Sequence, residues 1–151
     1  MIRRILFICT GNSARSQMAE ALLRVIAGEQ FEAWSAGTNP VGLNPYTITA
    51  MQEIGVALSH QRSKSIDEFI GQPFDVVITV CDRAKEACPV FQGIQQVRHW
   101  SFEDPAAAPE PERLVAFCTI RDEIADALCR FLVEEVGLLL EELHCYRCHS
   151  S

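Results

Sequence analysis

Nowhere does this chain hold the ~20 consecutive apolar residues that a membrane-spanning helix needs. Positive charge is scarce too: 13 Lys and Arg stand against 20 Asp and Glu, a formal charge of −7. That balance argues against nucleic acid as the main partner, because phosphate backbones are held chiefly by basic side chains. Arg3 and Arg4 precede only a few apolar residues before polar ones return. A signal-peptide core is therefore missing, and the expected compartment is the cytoplasm. Internal repeats, low-complexity tracts and linkers are absent as well. With 151 residues the natural reading is one domain, large enough to bury ~70% of its unfolded surface.

Cysteine, by contrast, is abundant: seven, an odd number. In a reducing compartment this does not describe a disulfide framework. It points to redox chemistry, to metal binding, or to thiols buried as small hydrophobes.

The most informative segment is Cys9-Thr10-Gly11-Asn12-Ser13-Ala14-Arg15-Ser16. It follows the apolar run Ile5–Ile8, short, β-branched and aromatic enough for a buried strand. Behind it, Met18, Leu22, Val25 and Ile26 recur at helical spacing. A thiol is thus expected at the carboxyl end of a strand, facing the first amides of a helix. Gly11, with its free φ, and the small Asn12, Ser13 and Ala14 let successive N–H groups curl around one point. Such a nest binds a tetrahedral oxyanion and favours thiolate over thiol. Arg15 adds a planar fork for two oxygens of the same anion. Cys9 reads as a nucleophile in a cradle of Thr10, Gly11, Asn12, Ser13, Ala14 and Arg15.

Further strands are expected at 32–34, 75–80 and 96–99, and helices from Asn44-Pro45 to Gly55, briefly over 66–70, and from about Pro111 to Leu140. The alternation implies an α/β fold: a single three-layer domain with a central four-stranded parallel sheet and helices on both faces. Ligands of such sheets bind beyond the carboxyl ends of the strands. Cys9 and Cys81 both follow strands at that edge.

Cys81 and Cys88 flank Asp82 to Ala87. In a helix, seven positions separate Cα atoms by ~10 Å, beyond the ~7 Å limit for a disulfide. Pairing therefore requires the segment to unwind. The functional reading is a relay in which Cys81 attacks and Cys88 resolves; the alternative is two incidental thiols. Cys118 and Cys129 lie ~16 Å apart along one helix face and read as buried small hydrophobes. The tail, residues 143–151, carries His144, Cys145, Cys148 and His149. It suits zinc or haem attachment by spacing, yet a flexible tail beyond a 1–142 domain is the favoured reading. No metal or cofactor is expected at the main site. Asp104, before Pro105, is expected at the same sheet edge and is the candidate acid for a departing oxygen, with Glu103 a weaker rival.

Together these residues resemble the thioredoxin-coupled arsenate reductases, which share the fold of low molecular weight protein tyrosine phosphatases. The resemblance rests on Cys9–Glu20, Ser35-Ala36-Gly37, Val80–Pro89 and His99–Pro105, and runs from Ile5 to about Val133. It implies that arsenate, with phosphate or sulfate as competitors, sits in the cradle. Cys9 attacks arsenic, with Ser16 hydrogen-bonded to its thiolate, and Asp104 protonates the leaving oxygen. Cys9–Cys81 and then Cys81–Cys88 disulfides follow, and thioredoxin regenerates the enzyme. It also implies a cation site near the loop in some members, at positions matching Asn12, Glu20, Ser35 and an aspartate. Here Lys64 occupies the aspartate position, so insensitivity to potassium is expected. Two other readings stand beside this one. A phosphatase acting on phosphomonoesters through a phosphocysteine at Cys9 would need neither Cys81 nor Cys88. A thiol-based redox or metal sensor would use the tail.

Overall fold

The structure, a computed structural model, describes residues 3–82, 84 and 96–147. Four strands, β1 (Arg3–Cys9), β2 (Phe31–Gly37), β3 (Val76–Thr79) and β4 (Gln96–His99), form one parallel sheet in the order β2-β1-β3-β4. Ile5, Leu6, Phe7 and Ile8 are each at most 1% exposed. Because successive side chains of a strand point to opposite faces, a run buried throughout means that both faces of the sheet centre are covered. Val76 to Thr79 repeat the pattern, whereas β4 is an edge whose Gln96 and Val97 are exposed.

Helix α1 (Arg15–Ala27) and helix α2 (Pro45–Glu53) both pack on helix α3 (Arg113–Arg130). Helix α2 starts where the Asn44-Pro45 signal placed it: Asn44 Oδ1 accepts from the Tyr46 amide at 2.9 Å. Residues 66–70, expected as a short helix, form a 3-10 turn over Ile66–Glu68. The long C-terminal helix is shorter than its apolar periodicity predicts. After Arg130 it widens into a π-helical turn, Phe131–Val136, and stops at Gly137 with φ 88°. The wider turn keeps Phe131 and Leu132 buried, and the left-handed glycine ends the helix.

The tail departs from the expectation of flexibility through Arg147. Leu143 and Cys145 are buried, and the His144 amide donates to the Ile26 carbonyl at 2.9 Å. Tyr146 bonds Asp122, and Arg147 Nε lies 2.7 Å from Asp126 Oδ1. Burial of Leu143 and Cys145 and these polar anchors together hold the strap on the core. The reading of Cys118 and Cys129 is also corrected. Cys118 is half-buried and donates to Glu53 Oε2 at 3.5 Å, and Cys129 is engaged in a disulfide. Cys148 and His149 lie outside the described residues.

Strand register sets the site. Ile8 pairs with Thr79 across β1 and β3, so Cys9 emerges level with Val80 and next to Cys81. Cys9 also pairs with Gly37. Three chain crossings therefore meet at one sheet edge.

Candidate active site

The loop from Cys9 to Ala14 turns its carbonyls outward because other segments take them. The Thr38, Asn39, Val41 and Asn44 amides donate to the carbonyls of Cys9, Thr10, Gly11 and Ser13 at 2.8–3.1 Å. Ser63 Oγ adds a bond to Gly11 O, Thr47 Oγ1 one to Ser13 O, and Gln17 Nε2 one to Asn12 O. In a trans peptide the following N–H points the opposite way from the carbonyl. The amides of Thr10, Gly11, Asn12, Ser13 and Ala14 are thus turned inward, and the free amides of the first turn of α1 follow them. This is an anion-binding nest at a helix N-terminus.

Two close approaches fix the loop. A Cβ on Gly37 would lie 2.6 Å from Thr10 O and 2.9 Å from Asn12 N, so only glycine lets β2 come this near. The left-handed residue of the loop is Asn12, with φ 47°, and not its flexible neighbour Gly11. Asparagine tolerates that region when its side chain is held locally. Here it is held completely. Nδ2 donates to Ser16 Oγ (2.8 Å) and Ser35 Oγ (2.9 Å), while Oδ1 accepts from Gln17 Nε2 (2.9 Å) and the Lys64 amide (2.8 Å). All four hydrogen-bonding positions of the amide are filled. Ser16, expected against Cys9, is the partner of Asn12 instead; among the described residues it has no bond to Cys9.

Beneath this sits a buried ion pair. Glu20 Oε1 accepts from Ser35 Oγ at 2.7 Å and lies 3.4 Å from Lys64 Nζ, while Oε2 lies 3.0 Å from Arg24. Lys64 Nζ also donates to Arg62 O at 2.9 Å. Burial lowers the Lys64 ammonium from its usual range, with Glu20 pulling the other way. The ammonium therefore occupies the polar chamber behind the loop. Gln17, fully buried, and Ser63 are supports that the sequence did not single out. Each looked like an ordinary polar residue of a helix or loop.

In front of the cradle is a cavity of about 610 Å³ lined by Cys9, Gly11, Arg15, Val41, Cys81 and Asp104 among others. Cys9 and Cys81 are free thiols, both buried, line the same cavity and influence each other's ionisation. The neighbouring Cys81 thiol, then burial, push the Cys9 thiol above its usual range against the pull of Arg15 and the Gly11 amide. Cys81 is pulled down to about 5 by Cys9, with the Thr10 hydroxyl at 3.4 Å and the Ala84 amide adding to it against burial. The sequence placed the charge on Cys9; the partner thiol, invisible to local spacing, makes the two ionise as a coupled pair.

Arg15 Nη1 donates to Phe102 O at 2.9 Å, and its buried Nε has no partner among the described residues. A buried guanidinium donor left open is costly unless an acceptor arrives, and the cavity supplies room for an oxyanion. Asp104 is exposed at this cavity, its Oδ1 capping the turn of Pro105–Ala107 through the Ala106 amide at 3.0 Å. Both carboxylates border a depression beside α3, but only Asp104, and not Glu103, also lines the cavity in front of the cradle. Cys88 lies outside the described residues.

The model for low molecular weight phosphotyrosine protein phosphatases matches residues 4–141. The chain belongs to this family. Within it, the chain is 44% identical over 126 residues to the arsenate reductase of Oceanobacillus iheyensis, covering 82% of this chain and 91% of that one. A solved arsenate reductase in the oxidized state superposes with a TM-score of 0.74 at 28% identity, covering 89% of this chain and 99% of that one. The thioredoxin-dependent arsenate reductase of Corynebacterium glutamicum superposes with a TM-score of 0.63 at 28% identity, over 87% of this chain and 63% of that one. The nest, the arginine and the aspartate fit either chemistry of the family. A second free thiol in the same cavity as the first is what a phosphatase does not require.

Proposed function

We propose that this chain is a cytoplasmic arsenate reductase that passes two electrons through Cys9, Cys81 and Cys88 and is regenerated by thioredoxin. The observation that carries this reading is the pair of free, buried thiols, Cys9 and Cys81, that line one cavity at the oxyanion cradle. Overall, one arsenate and two thiols give one arsenite, one disulfide and one water. Arsenate enters the nest, where the Thr10–Ala14 amides and Arg15 hold its oxygens. Cys9 passes its proton to Cys81 and attacks arsenic. The departing oxygen leaves as water with a proton from Asp104. Cys81 then attacks the Cys9 sulfur, its thiol proton going to an arsenic-bound oxygen. The sulfur–arsenic bond breaks with its electron pair on arsenic, and arsenite departs. Cys88 attacks Cys81, which frees Cys9 and leaves a Cys81–Cys88 disulfide for thioredoxin.

The name of the Corynebacterium glutamicum structural neighbour supports thioredoxin as the reductant. Phosphate and sulfate share the tetrahedral shape of arsenate and compete for the nest. Weak hydrolysis of phosphomonoesters is expected, because Cys9, Arg15 and Asp104 also meet the needs of a phosphocysteine pathway. The decisive experiment replaces Cys81 and Cys88 by serine, one at a time. Loss of arsenate turnover with retained phosphomonoester hydrolysis supports the reductase. Retention of both activities would leave only a phosphatase.

A further inference from the structure

We infer that His99 is a positioning residue that holds the Cys81 sulfur in place for the first thiol–disulfide exchange, an inference that rests on the reductase reading above. His99, the last residue of β4, reaches both sides of Cys81. Its Nδ1 lies 2.7 Å from Thr79 Oγ1, two residues before the cysteine, and its Nε2 lies 3.0 Å from Asp82 Oδ1, the residue after it. Asp82 as acceptor makes Nε2 the donor, so in the neutral ring Thr79 donates to Nδ1. Ser101 Oγ reaches the same carboxylate oxygen at 3.4 Å.

The two anchors of this bracket differ in kind. Thr79 is 2% exposed and sits on the central strand β3, paired with His99 across the sheet. The Asp82 side chain is 79% exposed. The inner anchor is therefore rigid, and the outer one is a weak, exposed pair that opens readily. Cys81 must occupy two places in succession. It first meets the Cys9 sulfur beside Thr10, then turns towards Cys88. A bracket with one fixed and one releasable end holds the corner for the first event without blocking the second. Asp82 borders the cavity in front of the cradle, but His99 and Thr79 do not line it, so the histidine governs where Cys81 attacks from and not how the oxyanion binds. A nucleophile misplaced by about 1 Å can lose up to ~100-fold in rate.

The test follows single turnovers of arsenate in a Cys88→Ser background, with the Cys9–Cys81 disulfide read by mass spectrometry after acid quench. His99→Phe keeps the ring and loses both bonds. Asp82→Ala cuts only the exposed anchor and leaves the buried one in place, so it stays informative if the phenylalanine variant fails to fold. Both should slow the maximal rate of disulfide formation by roughly tenfold or more. The arsenate concentration at half-maximal rate should not rise, and Asp82→Asn, which still accepts from Nε2, should recover much of the rate. An unchanged rate in a folded Asp82→Ala variant overturns the inference. So does a rate loss accompanied by an equal rise in the half-maximal arsenate concentration. If the chain without these substitutions forms no such disulfide with arsenate, the reductase reading itself has failed.

Discussion

Arg15 and the carbonyl of Phe102 are joined by a 2.9 Å hydrogen bond, which ties the oxyanion cradle to the loop that carries Asp104. One end of the guanidinium thus sets the acid's loop, while the buried Nε has no partner among the described residues. Arg15→Lys keeps a positive charge but loses the fork and this tether. Arsenate turnover should fall by ~100–1000-fold in kcat/KM. Phosphate affinity, measured by calorimetry, should weaken as well. Unaltered phosphate affinity would detach Arg15 from anion binding.

The coupling of the Cys9 and Cys81 thiols makes a reciprocal titration experiment possible. In the reduced protein, thiolate ultraviolet absorbance should show one group ionising at about 5, the Cys81 value. Cys81→Ala should remove that step. It should also move Cys9 ionisation to lower pH, because the influence that raises it most is gone while Arg15 and the Gly11 amide still lower it. Cys9→Ala should move Cys81 upward, since its largest lowering influence is lost. A low-pH step that survives Cys81→Ala and vanishes with Cys9→Ala reverses the assignment.

Lys64 and Glu20 form a buried pair behind the loop, with Arg24 as a second partner of the carboxylate. Lys64→Met strands part of the Glu20 charge and should cost ~1–3 kcal/mol, below the usual ~3–5 for breaking a buried pair because Arg24 remains. Adding Glu20→Gln should restore much of the loss, read as the denaturation midpoint. Because an ammonium fills this chamber, arsenate turnover should not respond to potassium at constant ionic strength. Strong potassium activation would contradict this.

Gly37→Ala places a methyl group 2.6 Å from Thr10 O. The backbone of β2 or of the cradle must shift, at a cost of ~1–3 kcal/mol. Anion binding should weaken more than global stability, since the displaced atoms belong to the nest. Crystallography of the variant with bound phosphate, alongside calorimetry, checks both effects.

Much of the fold was legible because short-range rules govern it. The Ile5–Ile8 run announced a central strand, Asn44-Pro45 announced a helix start, and the Cys9–Ser16 spacing announced an anion nest. Each depends only on neighbours in sequence. The errors have physical causes as well. Asn12 was read only as a small residue of the nest, but it takes the left-handed conformation because Ser16, Gln17, Ser35 and Lys64 hold its side chain from three separate segments. The C-terminal helix was run to Leu140 because apolar spacing cannot register a π turn. The tail was released at residue 143, although Leu143 finds a place in the core.

The amino-acid order alone determined the chemistry on offer: a thiol at a strand end, amides that curl around an anion, an arginine fork, and a second thiol pair downstream. Only the tertiary structure decided which of these meet. Strand order and register bring Cys81 beside Cys9, place His99 across Thr79, and turn Asp104 rather than Glu103 towards the cleft. Local backbone geometry follows from sterics within a few residues, whereas the charge on a buried thiol follows from the group that the folded chain sets against it.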